Sequence, residues 1–551
     1  MLSFSTLCGW SKTLEIKSSL LFAEDNFIVP KNWHHLDYQQ DSALGLSSHK
    51  AHDKFEVELQ NAKEVIVAII DAGVDINHEA LKNNIWINKD EIPNNKIDDD
   101  GNGYVDDYFG WNFLGNSKGS GKVEFKPKGD YHFHQGLKKF QLHFDSYSET
   151  RELKDLLKIS QEFLTPKKRA RLKELKKFIS DKQIRATKLL ADYKLDLKIF
   201  NHSLEILENF GLKRDDINLE SIAQIQSDDK NVQNAVLALK NFLSRDIDQK
   251  FLLDQVELYK AQKQYQYNTK SNHREEIVQD NSSLLREKGY GNNDVIGPEP
   301  LHGTHVAGII AAQRNDLSSA FGLVEKVKIM PIRAIPNGDE RDKDIINAIY
   351  YAVDNGAKVI NLSFGKYYSP HYKEVQQAML YARGKGVILI HAAGNDYTNT
   401  DNKISFPSAF EDEKRVLDNL ICVASSTPFD DETLVSGFSN YGRRTVDVLA
   451  PGSYIYSTLP NDNYASMSGT SVAAPMVSSI SAVLLSLNPR LKPYQLRELI
   501  LSGTTPFKHH FIMKPGLGQT TVSDIINVAG VVNLNSSIQL LFDYYRSQNI
   551  F

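Results

Sequence analysis

Six consecutive apolar residues, Val65-Ile66-Val67-Ala68-Ile69-Ile70, run directly into Asp71-Ala72-Gly73-Val74-Asp75. A run with no polar face to give to water, stopped by a carboxylate and a glycine, suits a parallel strand covered on both sides. The pattern returns from residue 301 onward. There, helical spacing predicts helices near 302–312, 342–355 and 373–384, and short apolar runs predict strands over 327–332, 357–362 and 387–392. Strands alternating with helices of this length indicate an α/β protein with a doubly wound, mostly parallel sheet flanked by helices.

A stretch of different character separates the two blocks. Over 120–289 the chain is rich in Lys, Glu, Leu and Gln and poor in strand signals. Leu172, Leu175, Ile179, Ala186, Leu189 and Tyr193 recur there at helical spacing, surrounded by Lys167, Lys168, Arg169, Arg171, Lys173 and Lys176. This reads as a large α-helical insertion whose basic run is a solvated face. The chain then divides into an N-terminal extension over 1–60, a first part of the sheet domain over 61–119, the insertion over 120–289, the remainder of the sheet domain over 290–505, and a C-terminal extension over 506–551 that packs on it.

Composition removes several classes of function. With 64 basic and 69 acidic residues the net charge is -5, which lacks the basic excess that a nucleic-acid partner usually requires. Two cysteines, Cys8 and Cys422, rule out a disulfide framework and thiol-rich metal sites. Cys422 sits in the apolar run Leu420-Ile421-Cys422-Val423-Ala424 and reads as a small buried hydrophobe. No stretch approaches the roughly 20 apolar residues that span a bilayer. The first residues, Met1 to Ala23, show no basic segment ahead of an unbroken apolar run, so a signal peptide is not visible.

Three segments carry reactive groups. Asp71 lies at the carboxyl end of the first strand, where open α/β sheets place their chemistry. His302-Gly303-Thr304-His305-Val306-Ala307-Gly308 puts an imidazole at the start of a helix whose glycines permit close packing. Ser468-Gly469-Thr470-Ser471-Val472-Ala473-Ala474-Pro475 puts a hydroxyl at the start of another. A serine hydroxyl is a poor nucleophile until a base takes its proton and an acid orients that base. Asp71, His302 and Ser471 supply those parts.

In this order and in these contexts the segments resemble the signatures of the subtilases, the subtilisin-like serine peptidases. The resemblance covers about 60–115 and 290–500. It implies a subtilisin-like fold and a serine endopeptidase in which Asp71, His302 and Ser471 form a triad and polypeptides are the substrates. It also implies that Asn395, in Ala392-Ala393-Gly394-Asn395-Asp396, donates to the oxyanion. By the same resemblance, Ser363-Phe364-Gly365 forms an edge for extended substrate. The S1 pocket then lies between that edge and Ala392, Ala393 and Gly394, with Ser405-Phe406-Pro407 near its base. His305 takes a supporting structural role. Ala72 departs from the family, which usually has serine or threonine there. The 231 residues between Asp71 and His302 exceed the spacing of a minimal member, and the helical insertion resembles that of the expanded Bacteroidetes-type subtilases.

No cofactor is implied for catalysis. A structural calcium ion is suggested by Asp98-Asp99-Asp100-Gly101-Asn102-Gly103-Tyr104-Val105-Asp106-Asp107, which is dense in hard oxygen donors. Asp98, Asp100, Asn102, the Tyr104 carbonyl and Asp106 match the first part of an EF-hand loop, although Phe109 stands where that loop needs its glutamate. Subtilases are usually exported and made with a propeptide. Only about 60 residues precede the first strand, so either the N-terminus is atypical or the insertion has taken over regulatory work. Two other readings stand beside the endopeptidase: a catalytically silent peptide- or partner-binding relative, and a peptide ligase using the same acyl transfer. The residues do not settle the physiological substrate or the oligomeric state.

Overall fold

The computed structural model describes residues 29–116, 142–245, 247–313, 320–411, 414–516 and 518–547, with 118, 124–125 and 131–132. The N-terminal segment considered for export, with Cys8, lies outside the described residues. Two compact units emerge: a sheet unit formed by residues up to Asp145 together with those from His273 on, and a helical unit, Ser146–Asn272. The flanks of the span 120–289, including 273–289, group with the sheet.

The sheet unit is built on nine strands. They are β1 (Val65–Asp71), β2 (Trp111–Asn112), β3 (Val327–Arg333), β4 (Val359–Leu362), β5 (Ile388–Ala392), β6 (Leu420–Ser426), β7 (Val448–Pro451), β8 (Thr505–Pro506) and β9 (Gly530–Val531). Their spatial order is β8-β9-β7-β6-β5-β4-β1-β3-β2, and every pairing is parallel except β8 with β9. Along the chain come the helices α1 (Ser148–Lys158), α2 (Pro166–Asn209), α3 (Lys230–Leu243), α4 (Gln249–Ala261), α5 (Leu301–Ala311), α6 (Asp342–Asp354), α7 (Tyr372–Gly384) and α8 (Thr470–Leu487).

Alternate side chains of each central strand enter different cores, as the unbroken apolar runs require. Val67, Ile69, Val359, Ile390 and Val423 pack with Val306, Ile309 and Ile310 of α5 and with Val472, Val477 and Val483 of α8. Ala68, Ile70, Ile360, Leu362 and Leu389 pack on the opposite face with Ile345, Ile349 and Tyr351 of α6 and Met379 of α7. α8 is long and apolar enough to cross a bilayer by composition, yet 89% of it is buried. It is the central helix of the fold.

β1 sits between β3 and β4, so the chain must pass over it on leaving β3. Such a switch point opens a crevice beyond the carboxyl ends of the strands. In register, Asp71 stands opposite Arg333, and Leu362 opposite Ile70 and His391. Asp71, Ser363 and Ala392 therefore reach the same edge of the sheet.

Both flanks of the helical unit are fastened within the sheet unit. On the way in, Arg333 donates through Nη2 to the Leu142 carbonyl (2.9 Å), and Arg341 forks onto the Asp145 carboxylate at 2.7 and 2.8 Å. On the way out, Arg274 forks onto Asp344 with two bonds of 2.7 Å and meets Asp280 at 3.2 Å.

In the helical unit, α2 is 44 residues long and opens on a capped turn: Thr165 Oγ1 accepts from Lys168 N at 3.3 Å, and Pro166 holds the first helical position. Leu172, Leu175, Ile179 and Ala186 are buried as the spacing predicts, but Leu190 takes the place expected of Leu189. Two small cores result, one of Tyr147, Leu153, Leu156, Leu172, Leu175 and Ile179, the other around Phe200, Leu204, Leu207, Leu239 and Leu252.

Candidate active site

His302 enters on the first turn of α5, and both oxygens of Asp71 lie 2.9 Å from its Nδ1. A carboxylate only accepts, so Nδ1 carries the proton and Nε2 is left as the basic nitrogen. Close approach of the helix depends on Gly303. A methyl group there would come 2.2 Å from the Gly73 carbonyl oxygen and 3.1 Å from Asp71 Oδ1. Ala72 still serves Asp71 without a side-chain hydroxyl, because its backbone N–H donates to Oδ1 at 2.7 Å. Its carbonyl accepts from Arg333 Nε at 2.8 Å.

Ser471 lies on the first turn of α8, where backbone N–H groups have no partner within the helix. Asn395, three residues beyond β5, accepts through Oδ1 from Thr470 N (2.9 Å) and Thr470 Oγ1 (3.0 Å). Since a backbone N–H only donates, this contact fixes which atom of the amide is oxygen. The Nδ2 group is thereby turned away from Thr470. A methyl at Gly469 would lie 3.0 Å from Ser471 Oγ and 3.3 Å from Asn395 Nδ2, so hydroxyl and amide flank one point at the helix N-terminus. Positive dipole and donors converge there, which suits a developing anion.

Ser363 joins this arrangement directly: its Oγ donates to the Ser471 carbonyl at 2.7 Å and accepts from Asn361 Nδ2 at 2.7 Å. Ser363, Phe364 and Gly365 continue past the last ladder pair of β4, and the Phe364 carbonyl accepts from His391 Nε2 at 2.9 Å. His305 is wholly buried, with Nε2 at 3.0 Å from the Ile455 carbonyl and 3.2 Å from that of Ala465. Burial, with the neighbouring His302, lowers its pKa to about 3. His305 is thus a neutral pin between α5 and the hairpin of Ile455–Leu459 with Asn463–Met467. Cys422, on β6, is half-buried rather than fully enclosed, and desolvation pushes its thiol pKa up, away from the thiolate.

A residue that supports the Asn395 loop gives no signal in the sequence. Asn440 is fully buried, donates to the Ala393 carbonyl (2.9 Å) and Tyr367 Oη (3.0 Å), and accepts from Asp396 N (3.0 Å) and Thr398 N (2.8 Å). Its backbone N–H holds the Gly394 carbonyl at 2.8 Å. It therefore grips the loop on both sides of Asn395. In the sequence it reads as an ordinary turn residue, since nothing in Ser439-Asn440-Tyr441-Gly442 points to a loop 45 positions upstream.

The acidic loop folds differently from its EF-hand-like register. Glu91, Asp100 and Asp107 each present an oxygen within 4.8 Å of the others. Of the five expected ligands, Asp100 alone belongs to this trio. Asp106 accepts from Asn95 N (3.1 Å) and Lys96 N (3.0 Å), and Asp98 from Gly103 N (2.8 Å). Asn102 gives its Oδ1 to Tyr104 N (2.8 Å) and turns Nδ2 to Asp100 and Asp107, so it orients carboxylates instead of adding an oxygen. The Tyr104 side chain packs edge-on against Trp111 and Tyr351. Burial raises Glu91 to about 7 and Asp107 to about 6, and their acidic neighbours add to both shifts. Glu91 had no signal in the sequence, lying seven residues before the aspartate run.

A mostly parallel sheet flanked by helices, with a carboxylate-held imidazole at the carboxyl ends of its strands, is the architecture of the subtilisin-like serine peptidases. The chain belongs to the subtilase family, whose model matches residues 62–523. Thermitase from Thermoactinomyces vulgaris is 39% identical over 216 residues, which cover 38% of this chain and 72% of thermitase. The thermophilic serine proteinase of Bacillus sp. (strain AK1) is 41% identical over 186 residues, covering 34% of this chain and 42% of that protein. Among solved structures, a cold adapted subtilisin-like serine proteinase is 29% identical, with a TM-score of 0.35, over 43% of this chain and 78% of its own.

Proposed function

We propose that this chain is an active serine endopeptidase working through Asp71, His302 and Ser471, with Asn395 as oxyanion donor. The observation that carries the reading is the carboxylate–imidazole pair, both Asp71 oxygens lying 2.9 Å from His302 Nδ1, in a chain that also carries Ser471 on the first turn of α8. His302 Nε2 takes the proton of Ser471 Oγ as the oxygen attacks the substrate carbonyl carbon. The oxyanion formed receives Asn395 Nδ2 and the Ser471 backbone N–H. His302 then protonates the leaving amine, and water activated by the same nitrogen releases the acyl group. Asp71 keeps the proton on Nδ1 throughout and stabilises the imidazolium. No step requires a cofactor.

Extended polypeptide pairs along Ser363, Phe364 and Gly365, whose backbone lies beyond the sheet ladder, and its P1 side chain sits between that edge and Ala392, Ala393 and Gly394. Likeness to the cell wall-associated protease of Bacillus subtilis, 38% identical over 211 residues, supports export as the setting. The test is labelling by a fluorophosphonate probe together with cleavage of a peptide library. The wild type should label and cleave, and Ser471→Ala should do neither, with a loss of kcat on the order of 10⁶. Equal labelling of both proteins, or none of a folded wild type, overturns the reading.

A further inference from the structure

We infer that the basic tip of the helical unit docks on a membrane surface rich in anionic phospholipid headgroups. The tip is made by the last turn of α1, the short 3-10 turn Gln161–Phe163 and the first turns of α2. Nine basic and three acidic residues fall between Lys154 and Lys177, a net +6 inside a chain whose total is -5. Along α2, Arg169, Lys173 and Lys177 recur at the four-residue spacing that places side chains on one face. With Lys176 they stand exposed opposite buried Leu172, Leu175 and Ile179. Arg171 is forked onto Glu152 at 2.6 and 2.9 Å and also meets Glu174. Among the described residues, however, Lys167, Lys168, Lys173, Lys176 and Lys177 pair with no carboxylate.

Apolar side chains accompany the charge. Leu156, Leu164 and Leu172 turn into the small core, whereas Leu157 and Phe163 are 49% and 74% exposed. Among the described residues no large apolar side chain is more exposed than Phe163. Arg169 Nη2 donates to the Gln161 carbonyl at 3.2 Å, which ties the first turn of α2 to the turn that carries this ring. An anionic bilayer surface offers both complements at once, phosphate charge for the lysines and an acyl boundary for the ring. A second copy of the tip would bring like charges together, and a nucleic acid offers the charge without the apolar layer. The acidic residue of the connecting turn, Glu162, is outnumbered by Lys167, Lys168 and Arg169. Free in solution these lysines are solvated, so docking exchanges water and counterions for headgroups without rearranging the helices.

The test is cosedimentation of the full-length Ser471→Ala protein with vesicles of phosphatidylcholine containing about one third phosphatidylglycerol. The protein should pellet with these vesicles, stay in solution with pure phosphatidylcholine, and be released as salt rises from about 0.1 to about 0.5 M. Lys167→Glu, Lys168→Glu and Lys173→Glu combined should weaken binding at least about 100-fold. Phe163→Ser should weaken it about tenfold, and both proteins should keep the parent Tm. Lys194→Glu with Lys198→Glu, exposed on the second half of α2, should bind within about threefold of the parent. Failure to pellet with the anionic vesicles, or equal pelleting of the triple variant, overturns the inference. So does binding of duplex RNA as tight as that of the vesicles and indifferent to Phe163→Ser, which would make the tip a general polyanion site. The readout involves no peptide cleavage, so the outcome is independent of fluorophosphonate labelling of the wild type.

Discussion

The sheet unit and the helical unit solve the same problem of burying apolar surface with very different use of charge. In the sheet unit, ion pairs are taken inside: Arg274 and Asp344 are 5% and 0% exposed, Lys366 and Asp342 3% and 4%. In the helical unit the pairs Lys158–Asp155, Lys250–Asp254 and Lys260–Glu257 all lie on the surface. Surface pairs contribute roughly 0–1 kcal/mol each, whereas a buried pair becomes strongly destabilising once one partner is removed. Buried charge thus marks the part of the chain where geometry must be held. In the helical unit the two small apolar cores are accompanied by the half-buried pair Arg171–Glu152, 35% and 16% exposed.

The sharpest way to break this contrast is to cut a buried pair. Arg274→Ala leaves Asp344 inside without its partner and should destabilise the sheet unit by about 3–5 kcal/mol in urea unfolding. A change under about 1 kcal/mol would show that the pair is dispensable. Next in size, Asn395→Ala should lower kcat by about 10²–10³ with Tm nearly unchanged. Asn440→Ser, acting through Asn395, should lower kcat by about tenfold with KM unaffected, as expected from losing roughly 1.4 kcal/mol of positioning. A matching rise in KM would place its effect on substrate binding instead.

In the helical unit, Leu239→Ala opens the core around Phe200 and Leu207. It should cost about 2 kcal/mol, seen as earlier protease nicking or hydrogen exchange confined to Ser146–Asn272, while kcat stays at the parent value. Loss of activity in that variant would tie the two units together energetically.

The last prediction concerns pH. Buried His34 and His305 have pKa values lowered to about 3, in both cases chiefly by burial. Their unfolded forms take up a proton near pH 6.5, so the stability they allow is complete above that value. It falls as pH drops from 6.5 toward 3, by about 1.4 kcal/mol per pH unit for each imidazole at most. Urea midpoints of the Ser471→Ala protein should therefore fall as pH is lowered from about 7.5 to about 4.5, and unchanged midpoints would show that neither imidazole limits stability in that range.

Much of this architecture is legible in the sequence because it rests on local pattern. The strand ending at Asp71 and the helices beginning near His302 and Asp342 announce themselves through apolar runs, glycines and helical spacing, and their predicted limits fall within a residue or two of those observed. The strands β8 and β9, two residues each, carry too little periodicity to be seen. Leu190 is buried instead of Leu189 because both fit helical spacing from Ala186, at i+4 and i+3, and the sequence does not choose between them. The acidic loop shows the limit most clearly. Its composition points to a cation, but which carboxylates converge depends on Asp107 being held by Asn88 and Tyr351 and Glu91 by the Asp99 N–H, contacts that are distant in the chain or unremarkable in type.

The fastening of Leu142 and Asp145 on one side, and of Arg274 on the other, has a consequence for how such a chain can change over time. Those anchors lie within the sheet unit on both sides of the helical unit, so the length of chain between them does not itself set the distance from Asp71 to His302. An interval of 231 positions along the polymer is therefore compatible with a bond of 2.9 Å across it, and the same scaffold could carry a different cargo in that interval while keeping its chemistry intact.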